Sequence, residues 1–151
     1  MRDEEGRSIS TSEGEAAWTE AISYLQTVEP RPALSWSDGL AASAFDHCTD
    51  VGSKGIANHV GSDGSGPFER ISRYGKASGM EGENISFGSK IAKSIIMDLF
   101  VDDGVSSREH RDSLMQSDFK FTGIAFCPHK GKYKYMTDFL YAGSYDLNAH
   151  G

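Results

Sequence analysis

Among the side chains suited to metal or acid–base chemistry, two histidines, His59 and His110, and the acids Glu83, Asp102 and Asp103 stand out. Two imidazoles and two carboxylates could hold zinc or another divalent ion. The spacing is long-range, and no compact metal motif such as His-Glu-x-x-His occurs. His59 lies with the glycine-rich loop Gly52 to Gly66, whereas His110 falls in the first turn of an expected short helix. The positive end of a helix disfavours an imidazolium, so His110 is expected in the neutral, metal-competent form. Asp102 and Asp103 lie at the C-terminal end of an expected helix, where carboxylates meet the negative pole of the macrodipole; they either have a compensating role or form a plain Asp103-Gly104 turn with Asp102 solvated. Glu83 opens a strand-like run beside Ile85 and Phe87, and a carboxylate there needs a partner.

Other chemistries find less support. No Gly-x-Ser-x-Gly elbow is present, so a serine nucleophile is not indicated. Gly61-Ser62-Asp63-Gly64-Ser65-Gly66 lacks the Gly-Lys-Ser/Thr ending of a phosphate loop and reads as a structural turn. Asn84-Ile85-Ser86 is a formal glycosylation sequon, but it falls in an expected buried strand. His47 lies near an apolar helical stripe and reads as structural; His129, beside a hairpin turn, reads as solvated. Enzyme activity is therefore not indicated by a nucleophile; the catalytic alternative is a metal-assisted hydrolase, a peptidase or esterase, with Glu83 as candidate base.

The elements that must position these residues follow from periodicity. Ser12 and Glu15 form a capping-box pattern ahead of Ala17, Ala21, Tyr24, Leu25 and Val28 at helical spacing. Pro30 and Pro32 end that helix. A second helix starts near Ser35 or Ser37, carries Leu40, Ala41, Ala44, Phe45, Cys48 and Val51, and ends at Gly52. Pro67 opens a short helix through Arg73. A strand over Glu83 to Phe87 precedes a helix bearing Ile91, Ile95, Ile96, Leu99 and Phe100. Ser106 and Glu109 suggest another capping box, and two strands, Phe119 to Phe126 and Tyr133 to Ala142, flank a turn at Lys130-Gly131-Lys132. The last strand is apolar or aromatic on both faces, so an antiparallel sheet between helical layers is expected.

The chain has 151 residues, which suits one domain: a loose lead over 1–11, a domain over 12–146 and a tail over 147–151. Lys and Arg number 15 against 22 Asp and Glu, a net charge of −7 that argues against nucleic acid as partner. Residues 1–20 alone carry −4, which leaves the rest nearly balanced. No apolar run reaches the roughly 20 residues of a membrane span, and no signal peptide is visible. Cys48 and Cys127 fit no zinc motif and are either two buried thiols or one bridge.

Taken in order, these pieces resemble the CAP superfamily, or SCP domains, in its microbial branch. Leu34-Ser35-Trp36-Ser37 with Leu40-Ala41 is similar to the family's entry to its second helix. His59 with Gly61-Ser62-Asp63-Gly64-Ser65 resembles the His loop, and Gly82-Glu83-Asn84-Ile85 the Gly-Glu-Asn-Ile/Leu signature. Val101-Asp102-Asp103-Gly104-Val105, followed by Arg108-Glu109-His110-Arg111, resembles the Asp-Asp-Gly-Val and Arg-Gly-His-Arg pair. Phe121-Thr122-Gly123-Ile124-Ala125 with His129 resembles the closing hairpin, so the likeness runs from about Ala16 to Tyr145.

The resemblance implies an α+β fold: a three-layer α-β-α sandwich around a small central antiparallel sheet. It implies a cleft tetrad in which His59 and His110 are the ligands of a divalent metal, Zn2+, and Glu83 and Asp102 the acids. It further implies a secreted binding module with sterol, lipid, defence or host and cell-surface interactions. Two departures stand out: Asp102 replaces the Glu usual in animal members, and Glu109 replaces the usual Gly. Glu109 and Arg111, flanking His110, are candidate modulators of the cleft. The cysteines do not reproduce the multi-disulfide pattern of animal members.

Overall fold

The computed structural model describes residues 11–147; the expected lead, apart from Thr11, and the tail beyond Leu147 lie outside the described residues. The elements are α1 (Glu15–Thr27), β1 (Ser35–Trp36), α2 (Asp38–Lys54), α3 (Pro67–Ile71), β2 (Gly75–Phe87), α4 (Ala92–Val101), α5 (Glu109–Leu114), β3 (Phe121–Pro128) and β4 (Tyr135–Leu147). The sheet order is β1-β3-β4-β2. β4 pairs antiparallel with β2 and β3, and the two-residue β1 adds a parallel edge to β3. β1 is too short to show a periodicity and was not expected.

β4 sits between two cores, as its two apolar faces require. Met136, Leu140 and Ala142 pack with Leu40, Ala44, Cys48 and Val51 of α2. Phe139 and Tyr141 pack with Ile95 and Leu99 of α4 on the other face. α1 adds Ala17 and Ala21 against Val101. These are the layers of an α-β-α sandwich. Among the described residues, no helix is long and apolar enough to cross a membrane.

α2 is fixed to the sheet in two ways. A Cβ at Gly123 would fall 2.0 Å from the backbone nitrogen of Ala41, so only glycine permits this approach of helix to strand. Cys48 and Cys127 form a disulfide with Cα atoms 5.8 Å apart. Of the two alternatives open in the sequence, the bridge is realised. α2 also runs past its expected stop at Gly52 to a left-handed cap at Gly55.

Neither expected capping box forms. α1 starts after Gly14, without a side-chain cap, because the Ser12 and Glu13 amides are taken by Asp103, 91 and 90 residues away. α5 starts after Arg108, and its His110 amide is capped by Asp102. The carboxylate that takes the amide comes from about 90 residues away at α1 and from eight residues upstream at α5. The expected apolar stripes are also narrower than the periodicity suggests: Leu25, Phe45 and Ile96 are exposed, while His47 and Ser43 are buried in α2.

His129 is likewise buried rather than solvated. The Gly131 amide donates to its Nδ1 at 3.1 Å, so its Nε2 carries the proton and donates to the Ile56 carbonyl at 3.0 Å. It ties the hairpin turn to the end of α2.

Candidate functional site

The four expected residues form two His–acid pairs, one of them built on Glu83 of β2, the edge strand of the sheet. Glu83 faces the α2 side with its cross-strand neighbours Leu140 and Asp138. The next residue, Asn84, faces the other side, where its amide donates to the His110 carbonyl at 3.0 Å and to the Tyr141 hydroxyl at 3.2 Å. Asn84 is thereby buried within the fold, in keeping with the reading that its sequon is not a modification site.

In the first pair, His59 Nδ1 lies 2.6 Å from Glu83 Oε1. Glu83 Oε2 accepts from Arg70 Nη2 at 3.1 Å, and Arg70 Nη1 donates to the Ser65 carbonyl at 2.7 Å. The side chains of Glu83 and Arg70 are each 2% exposed, whereas that of His59 is 52% exposed. A buried ion pair thus presents one carboxylate oxygen to a half-open imidazole. The hydrogen bond to Glu83 raises the pKa of His59, against the opposing effect of burial. Burial pushes Glu83 up, but His59, Asp138 and Arg70 together hold it below the usual carboxylate range.

Behind this pair lies a residue not expected at the site. Asp138 is fully buried, and no donor reaches either of its oxygens. Its neighbour is the Glu83 carboxyl, another acceptor. Two such groups share a bond only when one carries a proton. Burial, and then the Glu83 charge, push Asp138 well above the usual carboxylate range, so of the two acids Asp138 is the one favoured to hold a shared proton. His47 completes the cluster as a neutral ring: Nε2 donates to the Asn58 carbonyl at 2.7 Å, and burial, followed by the Arg70 charge, lowers its pKa. Its structural reading is consistent with this position.

In the second pair, Asp102 holds His110 at two points. Oδ1 accepts from the ring Nδ1 at 2.8 Å, and Oδ2 accepts from the backbone amide at 2.9 Å. Asp102 is the left-handed C-cap of α4, and its side chain caps α5. The second role offsets its unfavourable place at a helix C-terminus.

The flanking candidates separate. Glu109 is exposed at the start of α5, and its charge contributes to the raised pKa of His59, which places the α5 terminus electrostatically beside the first pair. Arg111 instead braces the fold: Nε donates to the Phe100 carbonyl at 2.6 Å, Nη1 to Glu20 at 2.8 Å, and the guanidinium lies over the Tyr24 ring. Among the described residues, no three or more His, Cys, Asp or Glu side chains are grouped to hold one metal ion. Any ion shared by His59 and His110 would have two protein ligands and solvent.

Sequence reasoning missed Arg70 and Asp138. The signal for Asp138 was available: a carboxylate in a strand that is apolar on both faces requires a partner, as was argued for Glu83. Arg70 carried no comparable signal in a short, charged helix.

The profile of the cysteine-rich secretory protein family, CAP, matches residues 28–142, and the chain belongs to that family. No curated protein matches the sequence. Among solved structures, an outer surface protein from Borrelia burgdorferi is similar, with a TM-score of 0.62 and 18% identity over 90% of this chain and 96% of that one. An extracellular protein containing an SCP domain, from Bacillus anthracis, gives a TM-score of 0.58 and 19% identity over 74% of this chain and 34% of that one. The present chain therefore corresponds to about a third of the Bacillus protein. At these identities the likeness is one of fold.

Proposed function

We propose that this chain is an extracellular CAP-family binding module whose cleft takes a divalent cation, preferentially zinc, on Nε2 of His59 and His110. The observation that carries this reading is that both rings have Nδ1 engaged by a carboxylate, at 2.6 Å from Glu83 and 2.8 Å from Asp102. Such a carboxylate orients the ring and raises the basicity of the opposite nitrogen. The donor set suits zinc or a similar borderline ion. With two protein ligands, the affinity is expected to be weaker than that of a closed four-ligand site. The bound ion would supply a local positive charge for a polar partner. The charged side chains around the cleft favour a host or cell-surface component over a sterol or lipid.

The disulfide between Cys48 and Cys127 supports an oxidising compartment, as do the extracellular and outer-surface descriptions of the structural neighbours. The hydrolase alternative has less support. The side chains of Glu83 and Asp102 are only 2% and 4% exposed and each already holds an imidazole, so neither is well placed to take a proton from water. Peptide or ester turnover that disappears in Glu83→Gln would reverse that preference.

Zinc titration calorimetry on the wild type and a His59→Ala/His110→Ala variant tests the cation. Heat of binding is expected in the first and not in the second. Identical heats would remove the metal from the proposal.

A further inference from the structure

The loop that carries the second His–acid pair adopts left-handed backbone at two residues that are not glycine, Asp102 at φ 56° and Arg108 at φ 54°. Such conformations are unfavourable for residues other than glycine and persist where the surroundings over-determine them. The surroundings here come from the other end of the chain. Arg108 Nη1 and Nη2 grip the two oxygens of Glu13 at 2.7 and 3.0 Å, and Nε reaches Glu20 at 3.3 Å. Glu13 also accepts from the Gly104 amide at 2.7 Å, while its own amide donates to Asp103 at 3.0 Å. The lock is therefore reciprocal. Glu13 and Glu20 both lie outside the residues 28–142 matched by the family.

Arg108 also faces inward. Its Nη1 donates to the Asp102 carbonyl at 2.6 Å and to the Val105 carbonyl at 3.2 Å. The same guanidinium nitrogen thus joins Glu13 to the residue whose carboxylate holds His110. We propose that Arg108 is a positioning residue for His110, and that Glu13 and Glu20 lock it, so that the N-terminal segment sets the geometry of the second half of the cleft. When Arg108 is released, Asp102 relaxes towards right-handed backbone and its carboxylate leaves Nδ1 of His110. The placement of His110 stands independently of the cation; the effect on cation affinity rests on the function proposed above.

The test uses the full chain and two variants, Glu13→Gln and Arg108→Gly. Glycine accepts the left-handed backbone, so the second variant removes the guanidinium without adding strain. The first readout is the 15N spectrum of the metal-free imidazoles at about pH 8, above the ordinary imidazole range. Wild-type His110 is expected as a single Nδ1–H tautomer. In both variants its two ring nitrogens are expected to move towards each other, as for a mixture of tautomers, while those of His59 stay in place. The second readout is zinc titration, where a loss of roughly 10- to 100-fold in affinity is expected. Lowered thermal stability with unchanged His110 resonances would overturn the proposal and leave Arg108 as a brace alone. Absence of zinc binding by the wild type would remove the cation reading, and the tautomer readout would still decide the role of Arg108.

Discussion

Arg70 and Glu83 form an ion pair at 3.1 Å with both side chains 2% exposed, and the free end of that pair is what His59 meets. Placing two charges in the interior costs several kcal/mol per ion before their attraction is counted. Removing one partner is therefore far worse than removing both. Glu83→Ala is expected to lower the unfolding free energy by about 3–5 kcal/mol, because it strands a buried guanidinium. A double change, Glu83→Leu with Arg70→Met, is expected to recover most of that loss. Urea denaturation of the three proteins checks this, and a double variant no more stable than Glu83→Ala would contradict it.

Asp138 gives the stability a pH dependence of definite sign. Its folded pKa is raised by burial and by Glu83. A raised carboxyl contributes fully below the unfolded value of about 3.9, and its contribution is lost as pH rises towards the folded value. Asp138→Asn cannot lose that proton and still offers an N–H to Glu83. At pH 7 the variant is expected to melt higher than wild type, by roughly 2–8 °C per kcal/mol gained. The gain should vanish at about pH 3, where the unfolded carboxyl is also protonated. Melting curves at both pH values decide; a variant less stable than wild type at pH 7 would refute the protonated Asp138.

The disulfide closes a long loop, since its cysteines are 79 residues apart. In the chain-entropy description, a loop of that length contributes about 4–5 kcal/mol by restricting the unfolded state. Cys48→Ala with Cys127→Ala is expected to lose most of this, read as a lower denaturation midpoint. A loss under about 1 kcal/mol would mean that the unfolded chain is already compact or that the bridge adds little. Because Cys48 is fully buried and Cys127 is 3% exposed, reductant should act on the native protein only through its opening.

Much of this molecule was legible in its sequence because the signals were local. Helical spacing revealed α1, α2 and α4, and the doubly apolar pattern of β4 called for layers on both sides. The choice of His59, Glu83, Asp102 and His110 came from the ordered family resemblance, because the residues by themselves left Asp102 readable as a solvated neighbour of an Asp103-Gly104 turn. The structure pairs His59 with Glu83 and His110 with Asp102. What sequence could not convey was competition between local and distant partners. Ser12 with Glu15, and Ser106 with Glu109, have the right spacing for capping boxes, yet the fold delivers Asp103 and Asp102 to the relevant amides. Arg70 reads as a solvated cation until α3 is laid against β2. His129 reads as solvated until the hairpin folds back on α2.

The covalent bridge has a further meaning for the cleft. His59, Arg70, Glu83, Asp102 and His110 all lie between Cys48 and Cys127 in the chain. A protease that cuts once anywhere in that interval leaves a nicked but undivided molecule, with every cleft side chain still tethered. On a gel, the nick would be visible only after reduction. Under proteolysis, the bridge would keep the nicked chain in one piece.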